Sequence, residues 1–392
     1  MKEYSDFLSI LDGYSAKNIT CFYNVKNNHL HREIQCNYER QFAAYRHDFE
    51  SAKYISEDAY LLWQKTHETE INLTPNEREK IVILVSIQTI DDLLLVIENN
   101  AYDATKEYNI DLQALHSIKS ELQQLNSMIG LSSLKRSILR HLMYFIQGFA
   151  NDPKDGDYKH TVLTGPPGTG KTEIAKILGS MYSKIGVLKN NIFKKVTRTD
   201  LVAGYLGQTA MKTRKIIEEC MGGVLFIDEA YSLQTDDMYA KECVDTLCES
   251  LSDNKNDLMV IVAGYQTELD NTFFRVNSGI RSRFIWRFDI EPYGTKELYL
   301  IFVHLAKSRK WVVDADIHMK WFELNKRHFK DNGRSMEQLF SYAKVAHAQR
   351  IYGKDIALRK ILSLDDLEEG ISLYKEFSNS CKNDNISMGL YT

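Results

Sequence analysis

The sequence predicts an α/β fold, a P-loop parallel sheet with flanking helices, followed by a C-terminal helical lid and preceded by an N-terminal helical module. Three observations carry this. Short apolar runs at 161–163, 192–196, 224–227, 258–263 and 286–290 alternate with helical stretches, the pattern of parallel strands joined by crossover helices. The first run leads into Gly165-Pro166-Pro167-Gly168-Thr169-Gly170-Lys171-Thr172 and then a helical pattern from Glu173, the strand, glycine turn and helix start of a phosphate-binding loop. At a spacing of 57 residues from Lys171 (228 − 171), the run Gly223-Val-Leu-Phe-Ile ends in Asp228-Glu229. Two acids then sit at the C-terminal edge of a buried strand, where open α/β sheets bind ligands.

The elements divide the chain into four parts. Residues 1–110 read as a helical module: Tyr38, Phe42, Tyr45 and Phe49 recur at 4-3-4 spacing, which lines one face of a helix. Thr74-Pro75-Asn76-Glu77 combines an N-cap, a proline at the first helical position and a glutamate three residues on, opening a second helix through Ile97. Asp111 caps a third through Leu125. Residues 111–290 hold the sheet. Residues 291–377 turn helical again, at 297–307, 317–326, 334–352 and 364–377, and form the lid. The polar, Asn-rich stretch 378–392 is expected to be a flexible tail.

Composition narrows the class. With 44% hydrophobic and 26% charged residues in 392, the chain is long enough for two or three domains with their own cores, and disorder as the dominant state is excluded. A net charge of −4 supplies no global attraction to nucleic acid or anionic membrane, which disfavours a nucleic-acid substrate. The six cysteines are scattered, with no C-x-x-C pair, which fits free thiols in a reducing compartment. The start Met1-Lys-Glu-Tyr-Ser-Asp lacks a basic region followed by an apolar one. The most apolar run, Ile81 to Ile97, is interrupted by Ser86, Gln88, Thr89, Asp91 and Asp92, too polar for a membrane span. A cytoplasmic protein without membrane contact is the expectation.

The motif chemistry points to ATP and Mg²⁺. In a P-loop the backbone N–H groups and the helix N-terminus face a polyphosphate, Lys171 reaches the β and γ oxygens, and the Thr172 hydroxyl holds the metal. Residues Gly165 to Glu173 are the nucleotide-binding segment. Asp228 serves the metal and Glu229 the attacking water.

Further segments extend the pattern: Asp200-Leu-Val-Ala-Gly204-Tyr205-Leu206-Gly207-Gln208, Met221-Gly-Gly-Val-Leu-Phe-Ile-Asp-Glu-Ala-Tyr231, Ala263-Gly264-Tyr265, and Ser278-Gly279-Ile-Arg281-Ser-Arg283. Together they resemble the CbbX/CfxQ and stage V sporulation protein K group of AAA+ ATPases, which includes the red-type Rubisco activases. The resemblance covers roughly residues 120 to 375. It implies that Ile129 and Gly130, within Met128-Ile129-Gly130-Leu131, pack on the adenine; an ordinary turn is the competing reading. It implies that Tyr205, with Leu206 and Gly207, forms a pore loop that grips a client; a buried core tyrosine is the alternative. Arg283 resembles the arginine finger that reaches a neighbouring subunit's ATP, a role Arg281 can share or take. Tyr265 stands where many relatives carry a polar asparagine that aligns the lytic water. Asp331-Asn332-Gly333-Arg334-Ser335 resembles the family's Gly-Asn-Ala-Arg-Ser, which makes Arg334 the lid arginine that contacts the phosphates. A finger supplied by a neighbour implies a homo-oligomeric ring, for which the resemblance implies six subunits, and the leading reading is an ATP-driven remodeller that pulls an unknown protein client through a central pore. A nucleic-acid translocase or loader and a nucleotide-switched assembly scaffold are the alternatives.

Overall fold

A computed structural model describes residues 79–149, 157–205, 207–234 and 237–387, as backbone alone from 377; all lie within a unit that begins at Arg78. The aromatic stripe of Tyr38 to Phe49 and the Thr74–Glu77 cap lie outside the described residues.

Where the sequence predicts helix through Ile97, the chain is first extended. Lys80–Ile81 (β1) pairs in parallel with Glu107–Tyr108 (β2), and the Asn109 side chain accepts from the Ile83 N–H at 2.8 Å and donates to its carbonyl at 3.1 Å. The run Ile81-Val-Ile-Leu-Val is rich in β-branched residues, which favour extended backbone. The helix starts only at Ile90 and ends at Asn99, opened by a capping box in which Thr89 and Asp92 satisfy each other's backbone N–H groups. Its Ile90, Leu93 and Ile97 pack in the same apolar cluster as Leu122, Ile138 and Ile174. Residues 79–110 therefore join the helices that flank the sheet. The predicted third helix is broken in two, Leu112–Ser117 and Lys119–Ser127, at the fully buried Ile118, with the Asp111 carboxylate accepting from the Ala114 N–H at 2.8 Å.

After helix Ser132–Ile146 comes the central sheet. Its strands are Thr161–Thr164 (β3), Phe193–Val196 (β4), Val224–Ile227 (β5), Met259–Gly264 (β6) and Trp286–Asp289 (β7). All pairs are parallel, in the order β4-β5-β6-β3-β7. Because side chains alternate across a strand, Leu163, Phe226 and Ile261 face one apolar cluster with helix Lys171–Lys184, while Val162, Ile227 and Val260 face another with helix Met238–Asp253. Burial on both faces explains the apolar runs of the central strands β3, β5 and β6, while the outer strands β4 and β7 mix apolar with charged residues. It also leaves only the strand ends free for chemistry.

The lid packs Thr295–Ser308, Met319–Asn325, Gly333–Ile351 and Leu364–Ser387 around Phe302, Phe322, Leu339, Phe340 and Leu367. Val312–Val313 (β8) and Ile361–Leu362 (β9) form a parallel pair too short to register as a sequence pattern. The last helix runs ten residues past the predicted end at Phe377 (387 − 377) into the expected tail. Leu367 and Ile371 pack in its first turns, and each residue added to a nucleated helix gains one hydrogen bond. The buried Asp366 ties this helix to the preceding one. Burial alone raises its pKa, but Arg350, the Ser363 N–H and His347 outweigh that and hold it at about 2. With a depressed folded value, this stabilisation is present above about pH 4 and is lost as the pH falls through about 2. In acid unfolding, Asp366→Asn is expected to lower the melting temperature at pH 6 and to shrink the wild type's loss across that window. Among the described residues no helix is long and apolar enough to cross a membrane.

Candidate nucleotide site

The site forms where β3, β5 and β6 end. From β3 the chain turns through Gly168 (φ 68°) and Gly170 (φ 87°) into the helix that starts at Lys171. A left-handed φ at these two positions suits glycine. The backbone N–H groups of Gly168 through Glu173 donate to no backbone carbonyl among the described residues. Such a run of free donors at a helix N-terminus is a ready anion cradle. Lys171 Nζ folds back over the loop, donating to the Gly165 and Pro166 carbonyls at 2.8 and 2.9 Å. Burial lowers its pKa, opposed by the charges of Glu229 and Asp228. These donors fit the phosphates of a nucleotide.

The acids of β5 arrive opposite. Asp228 is paired with Lys195 of β4 at 2.7 Å, an ammonium that stands in for a cation at this carboxylate. No cluster of three His, Cys, Asp or Glu exists among the described residues, so a metal here would draw its ligands from Asp228, Thr172, phosphate oxygens and water, the mode usual for Mg²⁺. Glu229 has φ 52°, an uncommon conformation for a side chain of this size and one that recurs at functional sites. Its carboxyl is raised above the ordinary range by burial and then by the Asp228 charge, opposed by Lys171 and Arg334. A carboxylate of raised basicity beside a phosphate cradle suits proton acceptance from water.

Tyr265, just past β6, places its ring 5.6 Å from Lys171 Nζ and 5.7 Å from the Tyr231 ring. Burial and the charge of Glu229 raise its phenol pKa. Arg334 acts electrostatically on Lys171, Glu229 and Tyr265, so the lid brings it to the same site. Gly130 (φ 68°) lies against Glu297 and Tyr293 of the lid, and Met128 Cε would be 3.2 Å from a Cβ on Gly170. The segment 128–131 thus borders the P-loop.

Two groups of expected residues lie elsewhere. Arg283 ends the helix Ser278–Arg283, donating to the Gly279 carbonyl at 2.6 Å and Ser252 Oγ at 2.7 Å. Trp286 of β7 is in register with Thr161 of β3, so this helix ends near the N-terminal ends of these strands, whereas its own P-loop follows their C-terminal ends. The strands between the two ends are about 13 Å long, four residues at ~3.3 Å each. Arg281 pairs with Asp270 at 2.6 Å. Tyr205 is 74% exposed, which rules out the buried core tyrosine. Gly204 and Gly207 on either side face open space, and Leu206 lies outside the described residues. The base of this loop is held by the Thr197–Asp200 capping box and by Lys212, which donates to the Thr199 and Val202 carbonyls at 2.7 and 2.9 Å.

Lys195, Tyr293 and Asn332 are site neighbours that the motifs do not reveal. Lys195 carries no motif, Tyr293 lies in a connection, and Asn332 is legible only as a member of the Asp331–Ser335 segment, with no role of its own.

Comparison with known proteins agrees with this geometry. Residues 161–289 match the family model for AAA, the ATPase family associated with various cellular activities. A cfxQ-like protein of Acanthamoeba polyphaga mimivirus is 36% identical over 283 residues, 69% of each chain. Stage V sporulation protein K of Bacillus subtilis is 30% identical across 71% of this chain and 91% of its own length. Protein CbbX of Cereibacter sphaeroides is 32% identical across 64% and 85% respectively.

Proposed function

Because this chain belongs to the AAA ATPases, in the group of CbbX, CfxQ and stage V sporulation protein K, we propose that it couples its ATP hydrolysis to remodelling a protein client, pulling a polypeptide segment through the pore of a six-membered ring. The observation that carries this reading is the Tyr205 loop, with an exposed aromatic at its tip, open glycines beside it and a hydrogen-bonded base. An aromatic held this way can grip side chains of any sequence while the glycines let the backbone follow. Lys171 and the P-loop amides bind the phosphates, Thr172 and Asp228 hold Mg²⁺, Glu229 takes the proton of the attacking water, and Arg334 senses the phosphates from the lid. Bound Mg²⁺ neutralises phosphate charge. Ile129 and Gly130 flank the adenine, and Tyr265 orients the water's surroundings. Arg283, with Arg281 beside it, acts on the neighbouring subunit. Client selection falls to residues before Arg78. The buried, unpaired thiols of Cys220, Cys243 and Cys248 support a reducing, cytosolic setting.

Tyr205→Ala tests the reading. The variant is expected to keep its assembly, melting temperature and basal turnover and to lose remodelling of a client captured on Glu229→Gln rings. A packed tyrosine would instead lose about 3 to 5 kcal/mol on truncation. A lowered melting temperature, or remodelling at the wild-type rate, overturns the pore role. A steep salt dependence with lysine and arginine substitutions controlling turnover would indicate a nucleic-acid channel instead.

A further inference from the structure

A strained residue sits at the centre of the contact between the lid and the P-loop. Asn332 is 3% exposed and adopts φ 51°, ψ −121°, a conformation that only glycine enters readily. Its side chain spans three parts of the molecule. Oδ1 accepts from the Tyr293 N–H at 2.9 Å, in the connection between β7 and the lid, and Nδ2 donates to the Pro167 carbonyl at 3.2 Å. The next N–H, of Gly333, donates to the Gly168 carbonyl at 3.0 Å, and the Tyr293 hydroxyl donates to the Thr169 carbonyl at 3.3 Å. The approach leaves no room for side chains: a Cβ on Gly333 would lie 2.7 Å from the Gly168 oxygen, and one on Gly168 would collide with the Asp331 carbonyl.

Three successive P-loop carbonyls, of Pro167, Gly168 and Thr169, are thus engaged from the lid and the connection leading into it, while the N–H groups of Gly168 onward remain free to face phosphates. A peptide unit cannot rotate its carbonyl without rotating the attached N–H. Holding the carbonyls therefore aims the amides. Backbone strain at Asn332 persists because the surrounding bonds over-determine it.

We propose that Asn332 is a positioning residue: it clamps the outer face of the P-loop to the lid, pre-orients the phosphate-binding amides and makes lid position and nucleotide affinity one equilibrium. This concerns nucleotide binding alone and does not depend on the client or on the pore. By linkage, what the lid contributes to nucleotide binding, nucleotide returns to lid closure.

Asn332→Asp keeps the acceptor for Tyr293 but sets a carboxylate oxygen against the Pro167 carbonyl. Asn332→Gly suits the backbone and removes both side-chain bonds. Tyr293→Phe deletes only the bond to Thr169. The full-length chain is titrated with ADP by calorimetry, its melting temperature is recorded without nucleotide, and hydrogen exchange is followed with and without ADP. Asn332→Asp and Asn332→Gly are expected to weaken ADP binding roughly tenfold, the effect of about one hydrogen bond, with a smaller loss in Tyr293→Phe. ADP should protect both the P-loop and the start of helix Gly333–Ile351 in the wild type, and only the P-loop in the Asn332 variants. Unchanged affinity and unchanged lid protection in the Asn332 variants overturn the clamp. So does a fall in nucleotide-free melting temperature that accounts for the affinity loss in all three variants, since that marks a purely structural role.

Discussion

Lys171→Ala is expected to bind ATP roughly a hundredfold more weakly, and Glu229→Gln to bind it normally while turnover falls roughly 10² to 10⁴-fold, the usual contribution of a general base. The two substitutions separate binding from chemistry because the residues do different work. Lys171 Nζ already lies within 2.8 to 2.9 Å of two P-loop carbonyls, so removing it leaves phosphate oxygens without their charged donor. Glu229 lies across the site at the end of β5, and glutamine preserves its shape but not its basicity. The raised pKa of Glu229 adds a sign. The base works deprotonated, so wild-type turnover falls as the pH drops through a value above the ordinary glutamate range, and that acidic limb should be absent from the residual rate of Glu229→Gln. Equilibrium nucleotide binding and single-turnover hydrolysis across pH check both points, and wild-type rates in both variants would overturn the site assignment.

Arg283→Ala is expected to reduce turnover roughly 10³ to 10⁵-fold, the range for an arginine finger, and to be rescued in part by mixing with Lys171→Ala chains. The reason lies in the position of Arg283 near the N-terminal ends of the strands, away from the ends that lead into its own P-loop, beside Ser252 and the buried His160. In the proposed reading, a finger at that end of the strands serves another copy. A mixed ring contains interfaces that pair an intact P-loop with an intact finger. No recovery in verified mixed rings would exclude action across the boundary, and repeating the mixing with Arg281→Ala shows whether the neighbour shares the role. Its pairing with Asp270 must then open.

How much of this was legible in the sequence differs by element. All five sheet strands fall within about a residue of their predicted places; for the three central ones, β3, β5 and β6, the reason is that a strand buried on both faces needs an apolar run whatever surrounds it. Helix 90–99 was misjudged for the opposite reason. The apolar run from Ile81 suits a helix or a strand equally, and pairing with Glu107–Tyr108 together with the Asn109 side chain decided for a strand at Lys80–Ile81 and an irregular connection up to Thr89. The break at Ile118 had no signal, since a buried isoleucine fits a helix interior as well as a bend.

By itself the sequence determined the glycine turn into the helix at Lys171 and the two acids after an apolar strand. Their chemistry is written in short-range constraints: glycines where φ is positive, a lysine and a threonine at the helix start, and carboxylates at the end of an apolar strand. Only the tertiary structure decided that Lys195 faces Asp228, that Arg283 turns away from its own site, and that Asn332 meets Pro167 across 165 residues of chain. Such contacts depend on how separately folded elements are brought together. No local pattern of residue types encodes that.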